Sequence, residues 1–88
     1  MEHLCKSLLA AFVFLELSGD DVVNPDSAIK AMEAMTAELQ SSSAEEMQAL
    51  IRTCAQEAAA IRSASRDERL ASFIAHLPQA IGLIEDDG

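Results

Sequence analysis

Tyrosine and tryptophan are absent from this chain of 88 residues, and three phenylalanines are its only aromatic side chains. The chain therefore lacks the usual aromatic platforms on which nucleotide bases stack. Its three glycines stand alone, and it contains neither a glycine-rich phosphate loop nor a Gly-x-Ser-x-Gly motif. These absences argue against an enzyme, and we expect no catalytic residues and no cofactor.

Soft metal ligands are also scarce. The two cysteines, Cys5 and Cys54, fit no metal-ligand spacing, and neither His3 nor His76 has a second ligand at helical spacing. We expect both cysteines to be reduced thiols in the core, because each lies among apolar helical positions. A nucleophilic pair of Cys54 with His76 is the alternative, but an apolar surrounding disfavours the thiolate that it needs.

The acidic segment from Asp20 to Asp26 does not form a calcium-binding motif. Its third positions are valines, no glycine stands at the sixth position, and Pro25 interrupts the loop. We therefore expect no metal site and interpret this segment as a helix-capping turn with a solvated cluster of charges.

Basic side chains are few. Six lysines and arginines face fifteen acids, which gives a net charge of −9 that repels nucleic acids and anionic membranes and favours a basic partner. Residues 1–50 carry nine acids and two bases, whereas residues 51–88 carry six acids and four bases. An electrostatic binding face is therefore expected in the first half of the chain.

The longest hydrophobic run, residues 8–15, is too short to span a membrane. It also lacks the net basic flank and the cleavage site of a signal peptide, since Glu2 offsets Lys6 and acidic residues follow the run. We expect a buried helix here, with a buried strand as the alternative. Together with reduced cysteines, this pattern favours a cytoplasmic protein.

Apolar residues recur with three-four spacing over most of the chain, which predicts an all-α fold. The expected architecture is a three- to four-helix bundle of antiparallel helix hairpins in one domain, residues 1–88. The predicted helices are 2–18, 25–40, 44–63 and 66–77, followed by a short turn at 79–84. Leu83 and Ile84 would add apolar residues to that turn, and the acidic end from Glu85 to Asp87 is expected to fray.

Sequence signals mark the ends of these helices. Asn24 followed by Pro25 predicts the start of the second helix. Ser43 with Glu46 and Ser65 with Glu68 predict capping boxes for the third and fourth helices. Gly19 is expected to close the first helix in the left-handed conformation, and Pro78 to end or kink the fourth.

Size, acidity and helicity together resemble the small immunity proteins of bacterial toxin–immunity pairs and antitoxins. The resemblance implies a non-catalytic module that neutralises a cognate basic toxin or effector by stoichiometric binding. Acids around the first turn and the second helix are the candidate contacts: Glu16, Asp20, Asp21, Asp26, Glu33 and Glu38. The alternative for each of these acids is that it only keeps a small domain soluble.

Two other functions remain open. A homodimeric helical adaptor could pair the first helix, or the stripe from Met47 to Ile61, with its twofold mate. Asp26-Ser27-Ala28 at the start of the second helix is similar to the Asp-Ser-Leu site of acyl carrier proteins, which implies a phosphopantetheine arm on Ser27. Ala28 departs from that motif, the loop before the serine is shorter, and the third helix is longer.

Overall fold

Four helices make up the part of the chain that the structure, a computed structural model, describes: residues 1–82. They are α1 (Glu2–Leu17), α2 (Pro25–Leu39), α3 (Ala44–Ala64) and α4 (Glu68–Ala80). The all-α prediction is confirmed, and the alternative of a strand over residues 8–15 is wrong because this run lies within α1. The first three helices differ from their predicted bounds by one residue at most, whereas both ends of α4 differ by more.

The starts of α2 and α3 follow the predicted capping chemistry. Asn24 Oδ1 accepts a hydrogen bond from the backbone N–H of Ser27, and Pro25 occupies the first helical position. At α3, Ser43 Oγ accepts from the N–H of Glu46, and Glu46 Oε1 accepts from the N–H of Ser43. Both caps satisfy backbone donors that the first helical turn leaves unpaired.

The end of α1 differs from the prediction for Gly19. Ser18 already leaves the helix in an extended conformation, and the following turn places the N–H groups of Val22 and Val23 on the carbonyl oxygen of Gly19. No left-handed residue is needed there. The glycine that adopts a left-handed conformation, with φ at +81°, is Gly82 after α4.

The predicted capping box at the start of α4 is also wrong. Asp67 is the N-cap, and its Oδ1 accepts from the N–H of Leu70. The Ser65 hydroxyl donates instead to the carbonyl oxygen of Ile61 at the end of α3, and Glu68 forms an ion pair with Arg62 at 2.9 Å. Arg66 turns the chain between the two helices with φ at +56°.

Pro78 does not end α4, since the helix continues to Ala80. Pro78 has no N–H to donate, which removes one backbone hydrogen bond near the helix end, and three residues later the N–H of Ile81 donates to the carbonyl oxygen of Leu77. Residues 79 and 80 thus belong to α4, and 81 and 82 form the turn. Leu83, Ile84 and the acidic end lie outside the described residues.

The core lies where α1, α3 and α4 meet. α3 and α4 form a closely packed hairpin, while α1 contacts each of the other three helices. The buried apolar residues come almost entirely from these three helices: Cys5, Leu9, Phe12, Leu50, Cys54, Ala58, Ala71, Ile74, Leu77 and Ile81. α2 packs on α1 and contributes a single buried residue, Ala28.

Candidate functional site

An open apolar groove of about 640 Å³ separates α2 from α4 and runs over α1. Phe12 and Leu77 form its floor, and Ile29 and Phe73 line opposite walls. At one end, the amide nitrogen of Gln40 donates to the carbonyl oxygen of Ile81 at 3.4 Å and joins the ends of α2 and α4. The groove exists because α2 and α4 both pack on α1 but have no extensive contact with each other.

The α2 wall is a continuous helical stripe. Ile29, Met32, Thr36 and Gln40 recur at spacings of three and four residues and all line the groove. Ile29 is a large apolar side chain of this stripe and is half exposed, at 51%. The core therefore does not use the whole apolar surface of α2, and a second apolar face remains on the groove side.

Acidic side chains stand at the edge of this groove. Glu16 from α1 and Glu33 from α2 both line it, and among residues 1–82 no lysine or arginine does. Glu16 also lines a smaller adjoining cavity of about 170 Å³, together with Asp20 from the following turn. Three of the six acids predicted from the sequence, Glu16, Asp20 and Glu33, thus lie around one continuous region.

The other three predicted acids also belong to the first half of the chain. Asp21 lies in the turn after α1, Asp26 in the first turn of α2, and Glu38 near the end of α2. All three are exposed and none lines the groove. The structure therefore brings three of the six predicted acids to the groove and its adjoining cavity, and the other three line neither.

The structure buries both cysteines. Cys5 and Cys54 are free thiols in the core, as the sequence predicts, and Cys54 is only 1% exposed. Burial, with a smaller contribution from Cys5, raises the pKa of Cys54 to about 11 and keeps its thiol protonated at neutral pH. His76 is exposed and its Nδ1 contacts the carbonyl oxygen of Ser72 at 2.8 Å.

No group of three metal-ligating side chains converges within residues 1–82. Within that range, none of the helices has the length and hydropathy that crossing a bilayer requires. Ser27, the residue matched to the carrier-protein motif, is exposed at the start of α2, and its backbone N–H is occupied by the Asn24 cap.

Of the two surfaces proposed for a homodimer, one is largely buried within the chain and the other is exposed. The stripe from Met47 to Ile61 is largely used within the chain, because Leu50, Cys54 and Ala58 are buried against α1 and α4. It is therefore not a free seam. The outer side of α1 remains open, with Leu4 73% and Phe14 53% exposed.

Sequence reasoning missed the apolar lining of the groove. Helical spacing assigns Phe73 and Leu77 to the apolar face of the fourth helix and Ile29 to the apolar side of the second, without showing that these faces border one groove. The available signal is the width of the apolar side of α2, since Ile29 lies beside the row formed by Ala28, Met32, Met35 and Leu39.

Comparison with protein families, curated proteins and solved structures finds no significant match.

Proposed function

We propose that this chain is a non-catalytic binding protein that covers a basic protein partner, in the manner of an immunity protein or antitoxin acting on its cognate toxin. The observation that carries this proposal is the open apolar groove with Glu16 and Glu33 at its edge and no base in its lining. An apolar centre with a charged edge is the arrangement of a specific protein interface.

The charge of the whole chain supports the same function. A net charge of −9 attracts a basic protein over distances comparable with the Debye length, about 10 Å at 0.1 M salt, and raises the rate of encounter. Asp20 adds a carboxylate in the adjoining cavity, and Asp21, Asp26 and Glu38 are exposed and add to the negative charge of the first half of the chain. Long-range attraction would then set the association rate, and the groove would set the lifetime of the complex.

The homodimeric adaptor is the second candidate function, and the exposed Leu4 and Phe14 on α1 favour it. Large apolar side chains that are half or more exposed on one helix can form a twofold contact. This surface is separate from the groove, so a dimer could also bind a basic partner.

The test is capture of the partner by the tagged chain from an extract of the organism that makes it, with the intact mass of the chain recorded. We expect one basic protein in stoichiometric amount, captured more slowly when the salt during binding is raised from about 0.1 M to about 1 M and the Debye length falls to about 3 Å. Recovery of no stoichiometric partner would contradict the proposal. A mass raised by a phosphopantetheine arm on Ser27 would favour a carrier protein, and a stable dimer without another partner would favour the adaptor.

A matched pair of variants tests the placement of the binding face. Glu16→Gln with Glu33→Gln removes two charges at the groove, whereas Glu2→Gln with Glu45→Gln removes two charges beside a different cavity, between the start of α1 and α3. We expect the first pair alone to weaken capture. Equal weakening by both pairs would mean that net charge, rather than the groove, determines binding.

A further inference from the structure

The dimensions of the α2–α4 groove define what it can hold. Its α2 wall extends from Ile29 to Gln40, eleven residues apart, which corresponds to a length of about 16 Å. That is about three helical turns. A segment of secondary structure fits this length better than a single side chain does.

The lining is suited to the apolar face of a helix. The walls and floor present Phe12, Ile29, Met32, Phe73 and Leu77, which include two of the three phenylalanines of the chain. Helix-in-groove recognition places apolar residues spaced by three and four positions into such a lining. Met32 adds an unbranched, flexible side chain that can adjust to the shape of the incoming residues.

The negative charge at the groove edge determines which charged residues the bound helix can carry beside its apolar face. Glu16 and Glu33 come from two different helices, and Asp20 adds a third carboxylate in the adjoining cavity. Lysine or arginine beside the apolar face would meet these carboxylates, whereas acidic residues there would be repelled. We therefore infer that the groove receives an amphipathic helix of the partner, with its apolar face inward and basic residues along its edges.

This inference rests on the proposed function and adds the structural class of the bound segment. The apolar contact and the charge contact of the groove can be tested separately. Filling it with a large side chain affects the apolar contact, while removing the carboxylates affects the charge contact.

The experiment uses synthetic peptides of about 14 residues, which is about four helical turns, with the intact chain. One peptide places leucine and lysine in helical order, a second has the same composition in alternating order, and a third replaces lysine with glutamate. We expect calorimetry to show one-to-one binding of the first peptide alone. Backbone and methyl resonances of Ile29 and Met32 should shift on its addition.

Two tryptophan variants provide the matched control. Ala37→Trp fills the groove from the α2 wall, whereas Ala34→Trp adds the same side chain to an exposed position of α2 outside the groove. We expect Ala37→Trp to lower the affinity for the leucine–lysine peptide by about tenfold or more and Ala34→Trp to leave this affinity unchanged. Both variants should keep the helical circular dichroism spectrum of the parent.

Several outcomes would overturn the inference. In the peptide experiment, these outcomes are equal affinity of the two tryptophan variants for the leucine–lysine peptide, or binding of the alternating or glutamate peptide as tight as that of the leucine–lysine peptide. The others are a small apolar molecule found bound by native mass spectrometry and a dimer of the chain that Ala37→Trp dissociates. Capture of a basic partner that Ala37→Trp does not weaken would overturn the inference while the proposed function remains. Binding of the peptide in the groove, with no protein partner recovered, would instead contradict the proposed function.

Discussion

At the residue scale, Cys54 links the protonation of one thiol to the stability of the core. It is 1% exposed between α1 and α4, and burial raises its pKa from 9.0 to about 11. Unfolding releases the thiol to its ordinary pKa, so above pH 9 the unfolded state ionises first. The contribution of Cys54 to stability is thus fully present below pH 9 and lost as pH rises toward 11.

We predict that the free energy of unfolding falls by an amount on the order of 2 kcal/mol between pH 9 and pH 11. Urea denaturation followed by circular dichroism at several pH values measures it. Cys54→Ala is the control, because it lacks the thiol and should lose most of this decline. A parallel decline in the variant would assign the effect to other groups.

Two phenylalanines two positions apart on α1 should respond differently to the same truncation. Phe12 is 1% exposed, and Phe14 is 53% exposed. We predict that Phe12→Ala lowers the stability by about 3–5 kcal/mol, enough to unfold a domain of this size. Phe14→Ala should change the stability of the monomer by about 0.5 kcal/mol or less.

Thermal denaturation at several protein concentrations checks both variants. If Phe14→Ala lowers the midpoint only at high concentration, the outer side of α1 buries Phe14 against a second copy. That result would support the adaptor function.

At the scale of the element, the start of α4 depends on Asp67. Its carboxylate accepts from the N–H of Leu70, whereas the Ser65 hydroxyl bonds to the end of α3. We predict that Asp67→Ala lowers stability by about 1 kcal/mol, the usual effect of losing an N-cap. Ser65→Ala should cost less, and denaturation of the two variants under the same conditions measures the difference. A larger loss of stability from Ser65→Ala than from Asp67→Ala would support the capping box predicted from the sequence.

The sequence was sufficient to locate most helices because their caps are local. Asn24, Pro25 and the Ser43–Glu46 pair each act on backbone groups within three residues, so their pattern contains the whole interaction. The predicted start of the fourth helix is less accurate because Ser65 and Asp67 both offer an oxygen acceptor near the backbone N–H groups of its first turn. The end of α3 uses the serine hydroxyl, and this leaves Asp67 for the cap.

The groove could not be predicted in this way. Helical periodicity shows that α2 and α4 each have an apolar face, but it contains no information about which faces meet. The gap between Ile29 and Phe73 depends on how both helices pack on α1. Among the predicted acids, the same packing brings Glu16 and Glu33 to one groove and leaves Glu38 outside it.

At the scale of the whole molecule, stability is unevenly distributed. α1, α3 and α4 share the core, whereas α2 packs on α1 and has Ala28 as its one buried residue. Segments with few buried contacts open at lower free energy than the core. We predict that the amides of α2 exchange with solvent before those of α3, as measured by hydrogen exchange with mass spectrometry. Binding of a helix in the groove should slow exchange in α2, and equal exchange in α2 and α3 would contradict this division.

The distribution of charge over the whole molecule leads to the last prediction, which concerns the rate of association with the captured partner. Asp20→Lys with Asp21→Lys changes the net charge from −9 to −5 at two exposed positions in the turn after α1, where Asp20 lines the cavity that adjoins the groove. The circular dichroism spectrum should be retained, because neither side chain is buried. Association should slow because the local attraction is lost, and dissociation should change less because the apolar contact remains.

Stopped-flow or surface-based kinetics at low salt measures both rate constants. Glu2→Lys with Glu45→Lys gives the same net charge of −5 from positions beside the other cavity. If attraction depends on the acids near the groove, this control should slow association less than the Asp20 and Asp21 variant does. If the two variants slow association equally, the partner responds to the total charge. The side of the molecule on which the acids lie would then have no part in steering, although the groove could still hold the bound helix.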